Sequence, residues 1–228
     1  MFLFWHLVLA HFIGDTILQP DEVYEIKKER FAGVVLHAVI IFFTLALFAW
    51  PYLHLWQVWL VLILAAMTHL WQDEIKIRRQ TPAKYNFLFF TADQFLHIFF
   101  LTPVLLVDTA YKPPVGSNMA TVLYNHIYLI YTAIVFVLTV FLWAYLWESM
   151  KISWFKDYDH YDSQRIKYGM FERSLLLVAV IFQAWWFLLV PFIFRILYKE
   201  ARFSWTLVSN IMIVISAALI LRLFPAVF

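Results

Sequence analysis

The chain has 228 residues, of which 64% are hydrophobic and 21% aromatic, and its formal net charge is +2. A mean hydropathy of +0.77 is typical of a polytopic membrane protein and excludes an ordinary soluble domain. The sequence contains no cysteine, which excludes disulfides and thiolate metal ligands and leaves nitrogen and oxygen donors. The basic residues lie between apolar segments, which argues against a nucleic-acid partner.

Seven apolar segments are each near the ~20 residues that a bilayer requires, and the first lacks the basic leader and cleavage site of a signal peptide. They predict an all-α, polytopic transmembrane helix bundle with helices over 1–19, 32–50, 56–72, 87–107, 122–147, 171–197 and 205–224. We expect one membrane domain. Residues 1–107 are predicted to form a four-helix half that carries a metal site. Residues 108–228 are predicted to form a three-helix half with a cytoplasmic loop over 148–170.

The distribution of basic residues predicts the orientation. Twelve of the seventeen Lys and Arg residues lie between helices one and two, three and four, and five and six. The opposite side holds Lys112, Arg195, Lys199 and Arg202. Because basic residues accumulate in cytoplasmic loops, the N-terminus is predicted to lie outside and the C-terminus in the cytoplasm.

Histidine and aspartate recur four residues apart in three apolar segments: His11-x3-Asp15, His69-x3-Asp73 and, in reverse order, Asp93-x3-His97. A four-residue step places both side chains on one helix face. Because consecutive spans cross a membrane in alternate directions, the reversal brings three carboxylates to one depth and three imidazoles to another. His37, in the second segment, is expected at a similar depth. Ionisable groups inside a membrane are costly and usually functional.

Neutral imidazoles and carboxylates are the usual ligands of zinc, manganese and iron, so the sequence predicts a divalent transition-metal site. Four histidines and three aspartates exceed one tetrahedral shell, which favours two ions bridged by an aspartate. One ion, with carboxylates that orient the histidines, is the alternative. Any single pair could instead be a hydrogen bond between helices. The predicted ligands are His11, Asp15, His37, His69, Asp73, Asp93 and His97, and the three aspartates are also the candidate catalytic groups.

Five further residues are candidates for supporting the ligands or binding substrate: Gln19, Lys76, Gln94, Glu172 and Arg173. Gln19 would continue the face of His11 and Asp15, and Lys76 lies near the membrane surface, where it could meet an anionic head group. Glu172 is predicted in the first turn of helix six, where a negative charge complements the helix dipole, so a helix cap is the default interpretation. An additional ligand, or a substrate clamp from Arg173, is the alternative. The other histidines are predicted to be interfacial or solvated: His6, His54, His126 and His160.

The ordered set H-x3-D-x3-Q, L-H, H-x3-D and D-Q-x2-H resembles domain-of-unknown-function family 3307, an uncharacterised family of bacterial membrane proteins. Here the motifs are His11/Asp15/Gln19, Leu36-His37, His69/Asp73 and Asp93-Gln94/His97. Gly169/Glu172/Arg173 resembles the C-terminal half of longer members. The resemblance is strongest over residues 1–105. It implies a multi-pass protein of the bacterial inner membrane, with a loose likeness to membrane-bound metal-dependent hydrolases.

Three classes of function are compatible with these residues. The leading hypothesis is an enzyme that hydrolyses a lipid-linked or amphiphilic substrate, preferably a phosphoester, at the cytoplasmic face, with water activated by the ion. The second is a transporter or a proton or metal-ion conduit, although helices two to four are almost wholly apolar towards the outer side. The third is a structural or cofactor-binding subunit of a membrane complex, for example one that binds haem. A membrane lipid or amphiphilic small molecule is the expected partner, and a homo-oligomer or membrane-complex partner is left open.

Overall fold

The structure is a computed structural model that describes residues 2–79, 82–108, 119–155, 163–183, 190, 193 and 205–223. Contacts divide the chain into two compact units, Met1–Ile134 with Ser149–Asp157, and Val135–Glu148 with Tyr158–Phe228. The described residues contain helices and turns but no strand, which confirms the all-α prediction. The predicted halves, 1–107 and 108–228, stay a prediction.

The first unit contains α1 (Phe2–Phe12), α2 (Asp21–Glu29), α3 (Phe31–Phe48), α4 (Trp56–Arg78), α5 (Asn86–Phe99), α6 (Val104–Asp108), α7 (Met119–Asn125) and most of α8 (Ile127–Val137). Two π turns, Ile13–Ile17 and Lys151–Phe155, and two 3-10 turns, Trp50–Tyr52 and Ala83–Tyr85, also belong to it. The second unit contains the π turn Leu138–Leu142, most of α9 (Trp143–Met150), α10 (Ser163–Ile181) and α11 (Trp205–Leu223).

Four helical segments among the described residues are long and apolar enough to cross a membrane: Phe31–Phe48, Trp56–Arg78, Asn86–Val107 and Ile127–Trp154. A fifth candidate is the bent pair Phe2–Ile17 and Asp21–Glu29, whose halves meet at 82°. These helices indicate a membrane protein. The count of seven spans and the orientation stay predictions, and five of the charges behind the orientation lie outside the described residues: Lys112, Lys156, Arg195, Lys199 and Arg202.

Two predicted helix boundaries are wrong at positions that matter for the site. The first predicted helix, 1–19, ends in a π turn at Ile17, and the following charged segment forms the separate helix α2. The sixth helix begins at Ser163 instead of 171, because a helix can start with polar turns that hydropathy assigns to a loop. Glu172 is therefore inside α10 and not in its first turn. Residues 156–162 of the predicted loop, including His160, and residues 184–189, 191–192 and 194–197 of the predicted helix lie outside the described residues.

Helix α2 packs backbone to backbone against the start of α3. It follows Pro20, has acidic residues in its first turn and basic residues in its last turn, and so complements its own dipole. A Cβ atom at Gly33 would lie 2.5 Å from the carbonyl carbon of Ile26 in α2. Only glycine permits this close approach.

We expect Gly33→Ala to displace α2 and destabilise the first unit, because the added methyl group would overlap the backbone of α2. Hydrogen–deuterium exchange should increase across residues 21–29. Gly14→Ala is the matched control, because a Cβ there would meet the flexible end of the Ile41 side chain. Unchanged exchange across 21–29 in the Gly33 variant would contradict the assigned role of this glycine.

Each unit has its own apolar core. In the first unit, Leu7 of α1, Leu45 of α3 and Leu62 of α4 are completely buried. In the second unit, the core is a cluster of apolar side chains: Val135, Leu176, Leu177, Val214 and Ala217. Close packing of the first core fixes the relative positions of α1, α3 and α4, which carry most of the predicted site.

Candidate metal centre

The seven predicted ligands come together in the first unit. Four elements supply them: α1 with its π turn (His11 and Asp15), α3 (His37), α4 (His69 and Asp73) and α5 (Asp93 and His97). All four histidines and Asp73 are buried, whereas the side chains of Asp15 and Asp93 are 12% and 10% exposed. The predicted convergence of the four helices is therefore confirmed, while the role of these residues as ligands stays a prediction.

Two histidines and two aspartates form the compact centre of this cluster. His37 Nε2 lies 3.1 Å from Asp15 Oδ1 and 3.6 Å from Asp73 Oδ2. His69 Nε2 lies 3.2 Å from Asp73 Oδ2 and 3.8 Å from Asp15 Oδ1. Each of the two imidazoles thus faces both carboxylates, which come from different helices.

The remaining residues extend the cluster towards α5. His69 Nδ1 lies 3.2 Å from His97 Nδ1, and His97 Nε2 lies 3.4 Å from Asp93 Oδ1. The ring of His11 is centred 4.9 Å from that of His97 and 5.4 Å from that of His69. Contacts between α1 and α5, which the sequence alone could not establish, are therefore part of the site.

Asp15 enters the cluster from a π turn. The Leu18 amide donates to the Ile13 carbonyl at 2.9 Å, a bond that spans five residues instead of four. π turns inside α-helices are frequent at functional sites. Gln94 Nε2 donates to Asp15 Oδ2 at 3.2 Å, so the predicted supporting residue Gln94 holds the oxygen that His37 does not contact.

His11 Nε2 and His37 Nδ1 are buried and make no hydrogen bond with the described part of the chain, whereas His69 Nε2 and His97 Nε2 face carboxylate oxygens of Asp73 and Asp93 at 3.2 and 3.4 Å without hydrogen-bond geometry. A buried polar atom without a partner costs about 1–3 kcal/mol, and such atoms are rare in folded proteins. Four buried imidazoles around three carboxylates fit a metal ion, because coordination would satisfy ring nitrogens that hydrogen bonds leave unpaired.

Three groups of these residues have ligand atoms within 4.8 Å of one another: His11, His69 and His97; Asp15, His37 and His69; and Asp73, Asp93 and His97. We call them the three-histidine group, the first mixed group and the second mixed group. The two mixed groups share no residue, so together they offer three ligands to each of two ions. The three-histidine group takes one histidine from each mixed group and is thus an alternative arrangement for a single ion.

Two lysines neutralise carboxylates of the second mixed group. The Lys27 ammonium pairs with Asp73 Oδ2, and the Lys76 ammonium lies 2.5 Å from Asp93 Oδ2. Lys76 is a predicted member of the site, whereas Lys27 lies in the segment predicted as the loop between helices one and two. In the structure, Lys27 is buried and only 5% exposed. The Pro and the acidic first turn before Lys27 could have indicated a helix, although not the burial of its lysine.

The comparisons with known proteins identify a family. The family model described as protein of unknown function, DUF3307, matches residues 3–130, more than half of the chain. The chain belongs to the DUF3307 family. The matched part contains the whole His/Asp cluster together with Lys27 and Lys76. No curated protein and no solved structure matches this chain.

Gln19 and His6 do not lie where the sequence predicted. Gln19 follows the π turn and lies in the link to α2, so it does not continue the helix face of His11 and Asp15. His6 is 1% exposed, with ring nitrogens 2.9 Å from the Phe2 carbonyl and 3.0 Å from the Tyr124 carbonyl. The prediction of an interfacial His6 is therefore wrong, because tertiary contacts with Tyr124 bury it.

Glu172 and Arg173 belong to a buried network of the second unit, beyond the matched part of the DUF3307 family. Arg173 donates to the Val140 carbonyl at 2.8 and 3.2 Å and to Asn210 Oδ1 at 2.6 Å. Asn210 Nδ2 in turn donates to Glu172 Oε2 at 2.5 Å. Glu172 and Arg173 are only 1% and 3% exposed, which supports a role in packing. Their predicted roles as an additional ligand and a substrate clamp stay predictions.

Proposed function

We propose that the chain is a membrane-bound, metal-dependent hydrolase of an amphiphilic phosphoester, acting at the cytoplasmic face of the bacterial inner membrane. The observation that carries the proposal is the convergence of four buried histidines on three carboxylates, with His11 Nε2 among the ring nitrogens that no hydrogen bond satisfies. A zinc, manganese or iron ion would supply Lewis acidity and an activated water molecule. The chain's own groups orient that ion and accept protons.

The preferred arrangement is two ions, one at each mixed group. The two groups share no ligand, and Asp73 Oδ2 of the second group lies 3.6 Å from His37 Nε2 and 3.2 Å from His69 Nε2 of the first. Asp73 is therefore the best candidate for the bridging aspartate. Asp15, held by Gln94 and partly exposed, is the best placed carboxylate to act as a general base.

The charge of the centre supports an anionic substrate. With neutral histidines, the three aspartates exceed the two lysine ammonium groups by one negative charge. One divalent ion makes the centre positive, and a second makes it strongly positive, which attracts a phosphate group. Paired metal ions also suit phosphoryl displacement, because they stabilise both the attacking and the leaving oxygen.

The packing beside the cluster argues against a conduit. Successive buried positions of α1, α3 and α4 on one side of the cluster are apolar: Leu7, Leu3, Ile41, Leu45, Leu62 and Val58. His6 and Thr44 are polar exceptions, and both make hydrogen bonds to backbone carbonyls. An apolar core on one side of the polar cluster is expected if the site opens to one face of the membrane only. An ion path through the protein would need polar groups on that side as well.

We expect the metal-loaded protein to release inorganic phosphate from phosphatidic acid vesicles or from p-nitrophenyl phosphate. Asp15→Asn should lower the rate by about 10²–10⁴-fold, because it removes a candidate general base while keeping the side-chain shape. Rates of phosphate release after loading with zinc, manganese or iron measure this effect.

Glu25→Gln on the exposed face of α2 is the matched control, because it makes the same chemical change at a surface pair with Lys28. Its rate should equal that of the unaltered protein. Equal rates for Asp15→Asn and Glu25→Gln would exclude Asp15 as the base, and absence of phosphate release with all three metals would refute the proposed activity.

A further inference from the structure

Helix α2 buries a lysine and exposes its apolar side chains. Lys27 is the only side chain of α2 that is fully buried, whereas Tyr24 and Ile26 are 43% and 42% exposed. Val23, one turn before Lys27 on the same face, is partly buried. Little apolar burial therefore holds α2 in place, and the ion pair with Asp73 is its main side-chain contact with the cluster.

Lys27 pairs with the oxygen that best suits a bridge between metal ions. Asp73 Oδ2 faces Lys27 as well as the imidazoles of His37 and His69. A lysine ammonium and a divalent ion both need the lone pairs of this oxygen, and two cations in close contact repel each other strongly in a buried site. The lysine and the ion are therefore competitors for Asp73.

We infer that Lys27 is a substrate-binding residue that releases Asp73 to the incoming divalent ion and then binds the anionic group of the substrate. The inference rests on the proposed function and adds a residue that the ligand pattern does not contain. Lys76 provides a second ammonium beside the same mixed group, 45% exposed and bound to Asp93. Two ammonium groups beside the metal ligands provide the charge that a phosphate requires.

Affinity for Zn²⁺, measured by competition with a chromogenic chelator, tests the release of Asp73. Lys27→Met should bind Zn²⁺ at least about tenfold more tightly than the unaltered protein, because a buried competing charge is removed. Lys27→Arg keeps the charge and should bind Zn²⁺ like the unaltered protein. Lys28→Met is the matched control, since Lys28 is exposed on the same helix and pairs with Glu25 at 2.7 Å.

Binding of inorganic phosphate to the zinc-loaded protein tests the second step. Calorimetry should show at least about tenfold weaker phosphate binding for Lys27→Met and no change for Lys28→Met, because a charge-assisted contact to the anion is lost. If Lys27→Met does not fold, the unaltered protein still tests whether Lys27 releases Asp73. Hydrogen exchange of residues 21–29 should then increase when Zn²⁺ is added, as α2 loses its contact with Asp73.

The outcomes separate this inference from the proposed function. Weaker or equal Zn²⁺ binding by Lys27→Met would show that Lys27 only positions Asp73, and unchanged phosphate binding would remove its role towards substrate. Unchanged exchange of α2 on metal addition would overturn the release of Asp73 as well. In each case the metal site itself would stand, whereas a protein that binds no metal would refute both proposals.

Discussion

Alanine in place of His69 is expected to remove one of two bound ions if each mixed group holds an ion, and the single ion if the three-histidine group holds it. His69 belongs to both the three-histidine group and the first mixed group, and its two ring nitrogens face Asp73 and His97, each at 3.2 Å. Loss of a hydrogen-bonded partner of a ligand typically costs about 10–100-fold in metal affinity, and loss of a shared ligand should cost more. Plasma mass spectrometry of the detergent-purified protein measures the bound metal.

His54→Ala is the control for the loss of one imidazole. His54 lies exposed in the turn before α4, so its removal should leave the metal content unchanged. Circular dichroism and thermal unfolding identify variants that lose metal only because they unfold. A folded His69→Ala protein with its full complement of metal would exclude every arrangement proposed above.

Plasma mass spectrometry also gives the number of bound metal ions per protein. If each mixed group holds one ion, His37→Ala should lower the metal content from about two ions to about one, while His11→Ala should retain at least one. If a single ion occupies the three-histidine group, His11→Ala should lose it and His37→Ala should retain it. The pair of variants therefore distinguishes the two arrangements by stoichiometry, without an activity assay.

Spacing along the chain was sufficient to predict that these histidines and aspartates lie together. A step of four residues fixes which side chains share a helix face, and alternate crossing directions, which stay a prediction, would explain why Asp93 and His97 occur in reverse order. Both arguments depend on local geometry and on topology alone. The contact between His11 and His97, by contrast, depends on how α1 and α5 pack, and the sequence contains no direct signal for it.

Two features that the sequence did not predict, the burial of Lys27 and the π turn at Asp15, have a common physical origin. Lys27 lies in a short charged segment, and hydropathy assigns such segments to loops because it averages over a whole span. The burial of Lys27 results from the close approach at Gly33 and from the carboxylate of Asp73, which are tertiary contacts. The π turn at Asp15 similarly has no signature in the residue pattern, which predicted an uninterrupted α-helix.

The second prediction concerns the buried network of the second unit, where Arg173→Met is expected to destabilise the protein strongly. Arg173 donates three hydrogen bonds, two of them to the Val140 carbonyl in a π turn and one to Asn210. Its removal leaves the Val140 carbonyl and Asn210 Oδ1 without these donors, and a buried acceptor left unpaired typically costs about 1–3 kcal/mol. Thermal and denaturant unfolding in detergent measure the loss. Arg222→Met, at an exposed position of α11, should have little effect.

The double variant Glu172→Gln/Arg173→Met separates a packing role from a role in the metal site. Because Asn210 links the two side chains, replacing both should cost less than the sum of the two single replacements. A purely structural network also predicts unchanged metal content in the double variant. Loss of metal from a folded double variant would instead favour the interpretation of Glu172 as a further ligand. Stability and metal content, measured on the same preparation, therefore decide whether the Gly169/Glu172/Arg173 element supports the fold or the chemistry.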